Sequence, residues 1–147
     1  MKARMWSMAT TLGVVVMAGA WTAAAQAQQP ARGTITLATV GGDCRPTVVG
    51  NDGDNDRIRA RRGVTIQWTV INNCAAPSAV TLTDWVRKSD RAAAYPGDPN
   101  GRLNCNAAAG GRCTLTVVVK KDAETTTYSY TVSLNGLLLD PDVIIDP

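Results

Sequence analysis

The chain has 147 residues, 15 Lys and Arg against 12 Asp and Glu, a net charge of +3 and no histidine. That length suits one domain with one core, and the near-balance of charge gives no reason to expect a nucleic-acid partner. The missing imidazole removes the commonest general base and the commonest metal ligand at once.

The first residues read as a secretory signal. Lys2 and Arg4 form a positive start, residues 12–24 are apolar and small apart from Trp21 and Thr22, and Ala25-Gln26-Ala27 fits a small-x-small cleavage site. The expected cut follows Ala27 and leaves residues 28–147 as the domain. The apolar run is shorter than the ~20 residues a spanning helix needs, and no second run of that length follows, so no membrane span is expected after cleavage. The expected location is the periplasm or the exterior of the cell.

Beyond residue 27 the chain is rich in Thr and Val and lacks a sustained 3.6-residue apolar period, which favours strands. The first expected strand is residues 33–40, where Ile35 and Leu37 alternate with Thr34 and Thr36. A stretch with Gly, Asp and Pro follows, then an Asn/Asp/Gly turn at 51–56. Residues 57–60 begin a short strand that sets Ile58 opposite its arginine neighbours, and Arg62-Gly63 reads as a tight turn. Residues 64–71 alternate most strictly: Val64, Ile66, Trp68 and Val70 share one face. Residues 79–86 form the next strand, with Val80 and Leu82 on one side and Trp85 near its end.

Residues 88–104 read as a long polar connection, with turns at 95–97 and 98–101 and a short helix at 90–94. Strands are expected again at 114–120, with Leu115, Val117 and Val119 inward, and at 126–134, with Tyr128, Tyr130, Val132 and Leu134 sharing a face. Asn135-Gly136 is a hairpin turn, since both residues tolerate positive φ. A closing segment runs over 137–139 and 143–145, interrupted by Asp140-Pro141-Asp142. About seven short strands imply an all-β Greek-key sandwich of the immunoglobulin-like kind.

Cys44, Cys74, Cys105 and Cys113 are even in number and lie in a chain bound for an oxidising compartment, so disulfides are expected. Three pairings are open, and Cys44–Cys74 with Cys105–Cys113 is the expected one, because Gly110 and Gly111 supply flexibility for the shorter closure. Chain-entropy arguments put the two at roughly 3.5 and 2.5 kcal/mol. A four-thiolate zinc site would need CxxC pairs, which are missing.

Other chemistries leave weaker traces. Arg57, Arg59, Arg61 and Arg62 read as a solvated strand face. Asp52, Asp54 and Asp56 resemble the first half of a calcium loop, but Arg57 stands where the turn glycine belongs and Gly63 where a bidentate Glu belongs. Asp140, Asp142 and Asp146 are carboxylates that could pair as acid and base, although Pro141 makes Asp140 and Asp142 read as a turn. There is no GxSxG or HExxH motif, so an enzyme is not expected. Trp68 shares the core parity of its strand, whereas Trp85 is expected partly exposed and is the candidate contact residue.

Two stretches resemble the plastocyanin-type cupredoxins. In the first, a turn with Gly63 leads into an alternating strand that ends Asn72-Asn73, followed after three residues by Pro77-Ser78. In that family the residue after the proline is a copper-ligating His, so the resemblance puts Ser78 at a ligand position. In the second, Thr127-Tyr128-Ser129-Tyr130-Thr131 leads to Val132, where the family has its ligating Cys, with Asn135 where a second His belongs. The axial Met has no counterpart. The resemblance thus implies a cupredoxin-like fold whose vestigial copper positions are Ser78, Val132 and Asn135. No cofactor is expected. The role it suggests is non-catalytic, binding or structural, with an unknown protein or cell-envelope partner. A calcium-dependent adhesion-type module and a small carboxylate enzyme or inhibitor are the alternatives.

Overall fold

The computed structural model describes residues 28–98 and 101–147. The expected signal peptide lies outside the described residues, as do Pro99 and Asn100 of the expected turn at 98–101. Eleven strands form two sheets: β1 (Ala31–Val40), β2 (Asp43–Val49), β3 (Arg57–Arg61), β4 (Thr65–Asn72), β5 (Ser78–Arg87), β6 (Gly97–Asp98), β7 (Leu103–Ala107), β8 (Arg112–Val119), β9 (Thr127–Leu134), β10 (Leu137–Leu139) and β11 (Asp142–Asp146). One sheet has the order β2-β1-β4-β8-β6; the other is β3-β11-β9-β5-β7, with β10 also paired to β9. Both are mixed, because β1 runs parallel to β4 and β3 parallel to β11. Parallel partners need a crossover, and from β3 to β9 each strand lies in the opposite sheet to the one before it.

The alternating positions meet between the sheets. Ile35, Leu37, Ile66, Trp68, Val70, Val80, Leu82, Leu115, Val117, Tyr130, Val132 and Leu134 are all buried there. Trp68 lies at the centre: its Nε1 donates to Tyr130 Oη at 2.8 Å, and its ring meets the rings of Tyr130 and Trp85 edge-on at 5.6 and 6.2 Å. Polar tips of buried aromatics need a partner, and here two of them serve each other across the sandwich.

The strand count exceeds the seven or so expected, and the additional strands are mostly edges. β2 carries Asp43, Arg45 and Pro46 and buries only Pro46 and Val48. The Val48 carbonyl accepts from Asp56 N–H, away from β1, so even-numbered residues of β2 face the free edge. There Pro46 has no N–H to offer a neighbour, which is where an edge strand tolerates proline. β6 lies inside the stretch expected as a loop and β7 begins at its end; β7 buries only Ala107 fully, so its sequence shows no apolar stripe. The short helix expected at 90–94 is not formed. Arg91 has φ 59°, and the chain folds back so that Ala93 bridges Val86. The Asn135-Gly136 turn is as expected, with φ 49° and 84°.

The arginine strand β3 lies at the other sheet's edge, and Arg57, Arg59 and Arg61 are exposed as expected for a solvated face. That edge is covered. The Asn51 side-chain amide donates to the Arg59 carbonyl at 2.8 Å and accepts from Arg59 N–H at 3.0 Å, imitating a neighbouring strand. Gly50 passes so close that a Cβ there would lie 1.4 Å from the Arg57 carbonyl oxygen.

Trp85 corrects the sequence reading. It is buried at 5% exposure and stacks on Tyr130 at 4.7 Å and 19°. Its odd number, set against Val80 and Leu82, should turn it outward. A β-bulge between Thr83 and Val86 inserts one residue, Asp84 takes φ 52°, and the parity flips. Asp84 then points to solvent and Trp85 into the core, as a one-residue insertion requires. Asp is among the few residues that tolerate this φ.

Burial pushes the Tyr130 phenol far above its ordinary pKa, and the Trp68 N–H only partly offsets this. The same cause raises Tyr128. The fold therefore favours the neutral phenols. Their contribution is complete below the unfolded value of about 10 and is lost as pH rises beyond it. Urea unfolding across about pH 8 to 11 should give a plateau and then a decline. The decline should be shallower in Tyr130→Phe, which should also lose about 1–3 kcal/mol at neutral pH through the orphaned indole N–H.

Candidate functional site

The loop end of the sandwich, where the resemblance would put copper, is built around Asn72. This residue continues the inward parity of Ile66, Trp68 and Val70 and is fully buried. Its Nδ2 donates to the carbonyls of Ala76 at 2.9 Å, Ala107 at 3.1 Å and Ala108 at 3.1 Å. Its Oδ1 accepts from Cys74 N–H at 3.0 Å, and its own N–H donates to the Gly111 carbonyl. One carboxamide thus holds the end of β4, the β4–β5 loop, the end of β7 and the turn into β8. The next residue, Asn73, donates its N–H to the Leu37 carbonyl and so ties β1 to the same loop.

Both expected disulfides are formed. Cys44–Cys74 joins β2 to the β4–β5 loop with Cα atoms 5.9 Å apart, and Cys105–Cys113 joins β7 to β8, hence one sheet to the other, at 6.0 Å. Ser78 packs against the first of these. Its Oγ is 4.0 Å from Cys44 Sγ and 3.4 Å from the Ala76 carbonyl oxygen, to which it donates.

The three vestigial positions do not converge. Ser78 is buried at the start of β5. Val132 is fully buried in β9, where its cross-strand partner is Leu82, four residues further along β5. Four residues of strand amount to ~13 Å, far beyond the ~2 Å of metal–ligand bonds. Asn135 is exposed in the β9–β10 turn. Ser78 sits beside the Asn72 hub, and its immediate neighbour is a cystine in place of a ligand set. Asn72 itself was missed by the sequence reading, although its parity marks it as a polar residue in a core position.

The carboxylates divide among different places. Asp52, Asp54 and Asp56 lie in the β2–β3 connection, whose backbone is tied by Gly50 N–H to the Asp54 carbonyl and Asp56 N–H to the Val48 carbonyl. Among the described residues, no three His, Cys, Asp or Glu side chains gather as a metal would need. Asp146 pairs with Arg59 at 3.3 Å. Asp142 pairs with Lys88 at 2.9 Å and accepts from Ser129 Oγ at 3.3 Å, whereas Asp140 accepts from Thr131 Oγ1 at 2.8 Å. Asp140 and Asp142 thus belong to the outer surface of the second sheet.

The same surface is bordered by the turn after β5, which Arg87 clamps. Its guanidinium pairs with Asp90 at 2.6 Å and also with Glu124. The Arg87 hydrogen bond, helped by Ala92 N–H, holds the Asp90 carboxyl down at about 2.

No protein-family model matches the chain, and no curated protein matches it. Among solved structures it is similar to the McoA multicopper oxidase of the hyperthermophile Aquifex aeolicus, at 17% identity over 81% of this chain and 27% of the other, TM-score 0.45. The 2F4 variant of McoA gives 17%, 82%, 27% and 0.46. A multicopper oxidase of Campylobacter jejuni, a metallo-oxidase, gives 13%, 78%, 25% and 0.40. The chain spans about a quarter of the length of these oxidases. The likeness concerns fold alone, and the sandwich described above rests on its own strand pairing.

If Arg87 is what depresses Asp90, carbon-detected titration of the Asp90 carboxyl should give a midpoint near 2. In Arg87→Met it should return towards the ordinary carboxylate range of about 4. The contribution of this pair to the fold exists above the unfolded value and fades as pH falls through the folded one.

Proposed function

We propose that this is a cupredoxin-like domain that works without a metal, as a non-catalytic binding or structural module in the periplasm or outside the cell. The carrying observation is the composition of the loop end. A blue-copper centre needs two imidazoles and a thiolate; the chain has no His, and all four Cys are in disulfides. The methionines are Met1, Met5, Met8 and Met17, within the expected signal. The residues present do not fit copper, and the Asn72 network with the Cys44–Cys74 bridge supplies the cohesion of that end. The two disulfides support an oxidising location. The exposed loop residues 73 and 75–77, with Asn135-Gly136, form the surface on which a partner would bear.

Copper challenge tests this reading. After incubation with Cu(II) or Cu(I) and dialysis, the exported protein should retain well under one copper per chain and show no intense blue absorption. Its melting temperature should not change on adding either ion. Stoichiometric copper that survives dialysis, with the thiolate charge-transfer band, would overturn the reading.

A further inference from the structure

The outer surface of the second sheet carries a groove of about 520 Å³ between the β5 bulge, β9, the turn after β5 and the β10–β11 connection. Its wall includes Asp84, Lys88, Arg91, Ser129, Thr131 and Asp140. A volume of that size falls within the range of small-molecule sites.

Three features set the groove apart from an ordinary polar surface. First, its two carboxylates are positioned by a matched pair of hydroxyls. Thr83 and Thr131 are directly opposite each other in the β5–β9 register. Thr83 Oγ1 donates to Asp84 at 2.8 Å, and Thr131 Oγ1 donates to Asp140 at 2.8 Å. Directly opposed Cβ atoms lie about 5 Å apart, so the two carboxylates flank one short stretch of groove. Secondly, two wall residues adopt left-handed backbone without being glycine: Asp84 at φ 52° and Arg91 at φ 59°. Such conformations persist where the surroundings enforce them and cluster at binding sites, as do bulges that re-aim a side chain. The bulge turns Asp84 outward, and the Arg87 clamp on Asp90 fixes the turn that presents Arg91. Thirdly, charge is left over. Lys88 is matched by Asp142, whereas among the described residues no ion pair engages Asp84, Asp140 or Arg91.

We propose that this groove binds a short peptide or amino acid that carries more ammonium than carboxylate charge, with Asp84 and Asp140 receiving ammonium and Arg91 receiving carboxylate. Two exposed carboxylates without cation partners favour positive charge in a ligand, and one guanidinium without an anion partner favours a carboxylate; a planar fork suits that group. This surface is distinct from the loop end, so the proposal stands or falls separately from the copper test.

The probe is lysyl-alanine, titrated into the isotope-labelled exported protein at low ionic strength and followed by amide chemical shifts. The expected result is saturable shifts clustered at residues 84, 91, 129, 131 and 140. The apparent affinity should fall several-fold in Asp84→Asn and in Asp140→Asn, and by more than about tenfold in the double variant (one tenfold step corresponds to ~1.4 kcal/mol). Asn keeps both the threonine hydrogen bond and the tolerance for positive φ, so unchanged spectra without peptide will show that these variants fold. Wild type should prefer lysyl-alanine to its C-terminal amide, and Arg91→Gln should lose that preference. The proposal fails if no shift develops by about 20 mM, far above a 1 mM dissociation constant. It also fails if the diacetylated peptide shifts the same amides equally, or if the double variant binds as wild type does.

Discussion

The loop end of this sandwich depends on a single buried carboxamide. Asn72 lies where its strand's alternation demands an apolar side chain, and a polar group there costs free energy unless every bond it can make is made. It is satisfied by two stretches of chain, residues 74–76 and 107–108, with three carbonyls around Nδ2 and one N–H on Oδ1. In a low dielectric such a fully satisfied network is stronger than its members would be in water. The Cys44–Cys74 bridge and the buried Ser78 hydroxyl complete the same corner. The separate loops of this end are thus held at one point by an amide and a cystine.

This arrangement separates the two ends of the functional question. The interior near Ser78 is closed by covalent and hydrogen-bonded cohesion, and among the described residues no three His, Cys, Asp or Glu side chains gather there. Free polar chemistry lies instead on the outside of the second sheet. There a bulge exchanges the roles of two neighbours, giving Trp85 to the aromatic cluster and Asp84 to the groove. The Trp68, Tyr130 and Trp85 rings thus do more than fill volume. Their packing supplies the free energy that keeps an aspartate in left-handed backbone at the groove's wall.

Much of this was legible in the sequence. Strict alternation in residues 64–71 and 126–134 gave the two central strands, because a sheet with one buried face imposes that pattern on each strand. The Asn135-Gly136 turn and both disulfides were readable from local chemistry. The edge strands β2, β6 and β7 were not, since an edge buries too few side chains to leave a stripe and tolerates proline. Trp85 was misread because parity counting assumes an uninterrupted register, and nothing in Thr83-Asp84-Trp85 announces a bulge. The vestigial copper positions came from linear spacing, whereas cross-strand register decides which side chains meet. Register separates Ser78 from Val132 along the sheet. The groove was invisible for a similar reason: Asp84 and Asp140 are far apart in sequence and share a site only through the Thr83–Thr131 pair.

The central claim is that the loop end is held by Asn72 together with the cystine. Hydrogen exchange on Asn72→Ala, with both disulfides intact, tests it most directly. Protection should collapse at the Cys74 and Gly111 amides and at residues 105–108, while central amides of β4 and β9 stay slow, and the unfolding free energy should fall by about 2–4 kcal/mol. Exchange and stability indistinguishable from wild type would contradict the account.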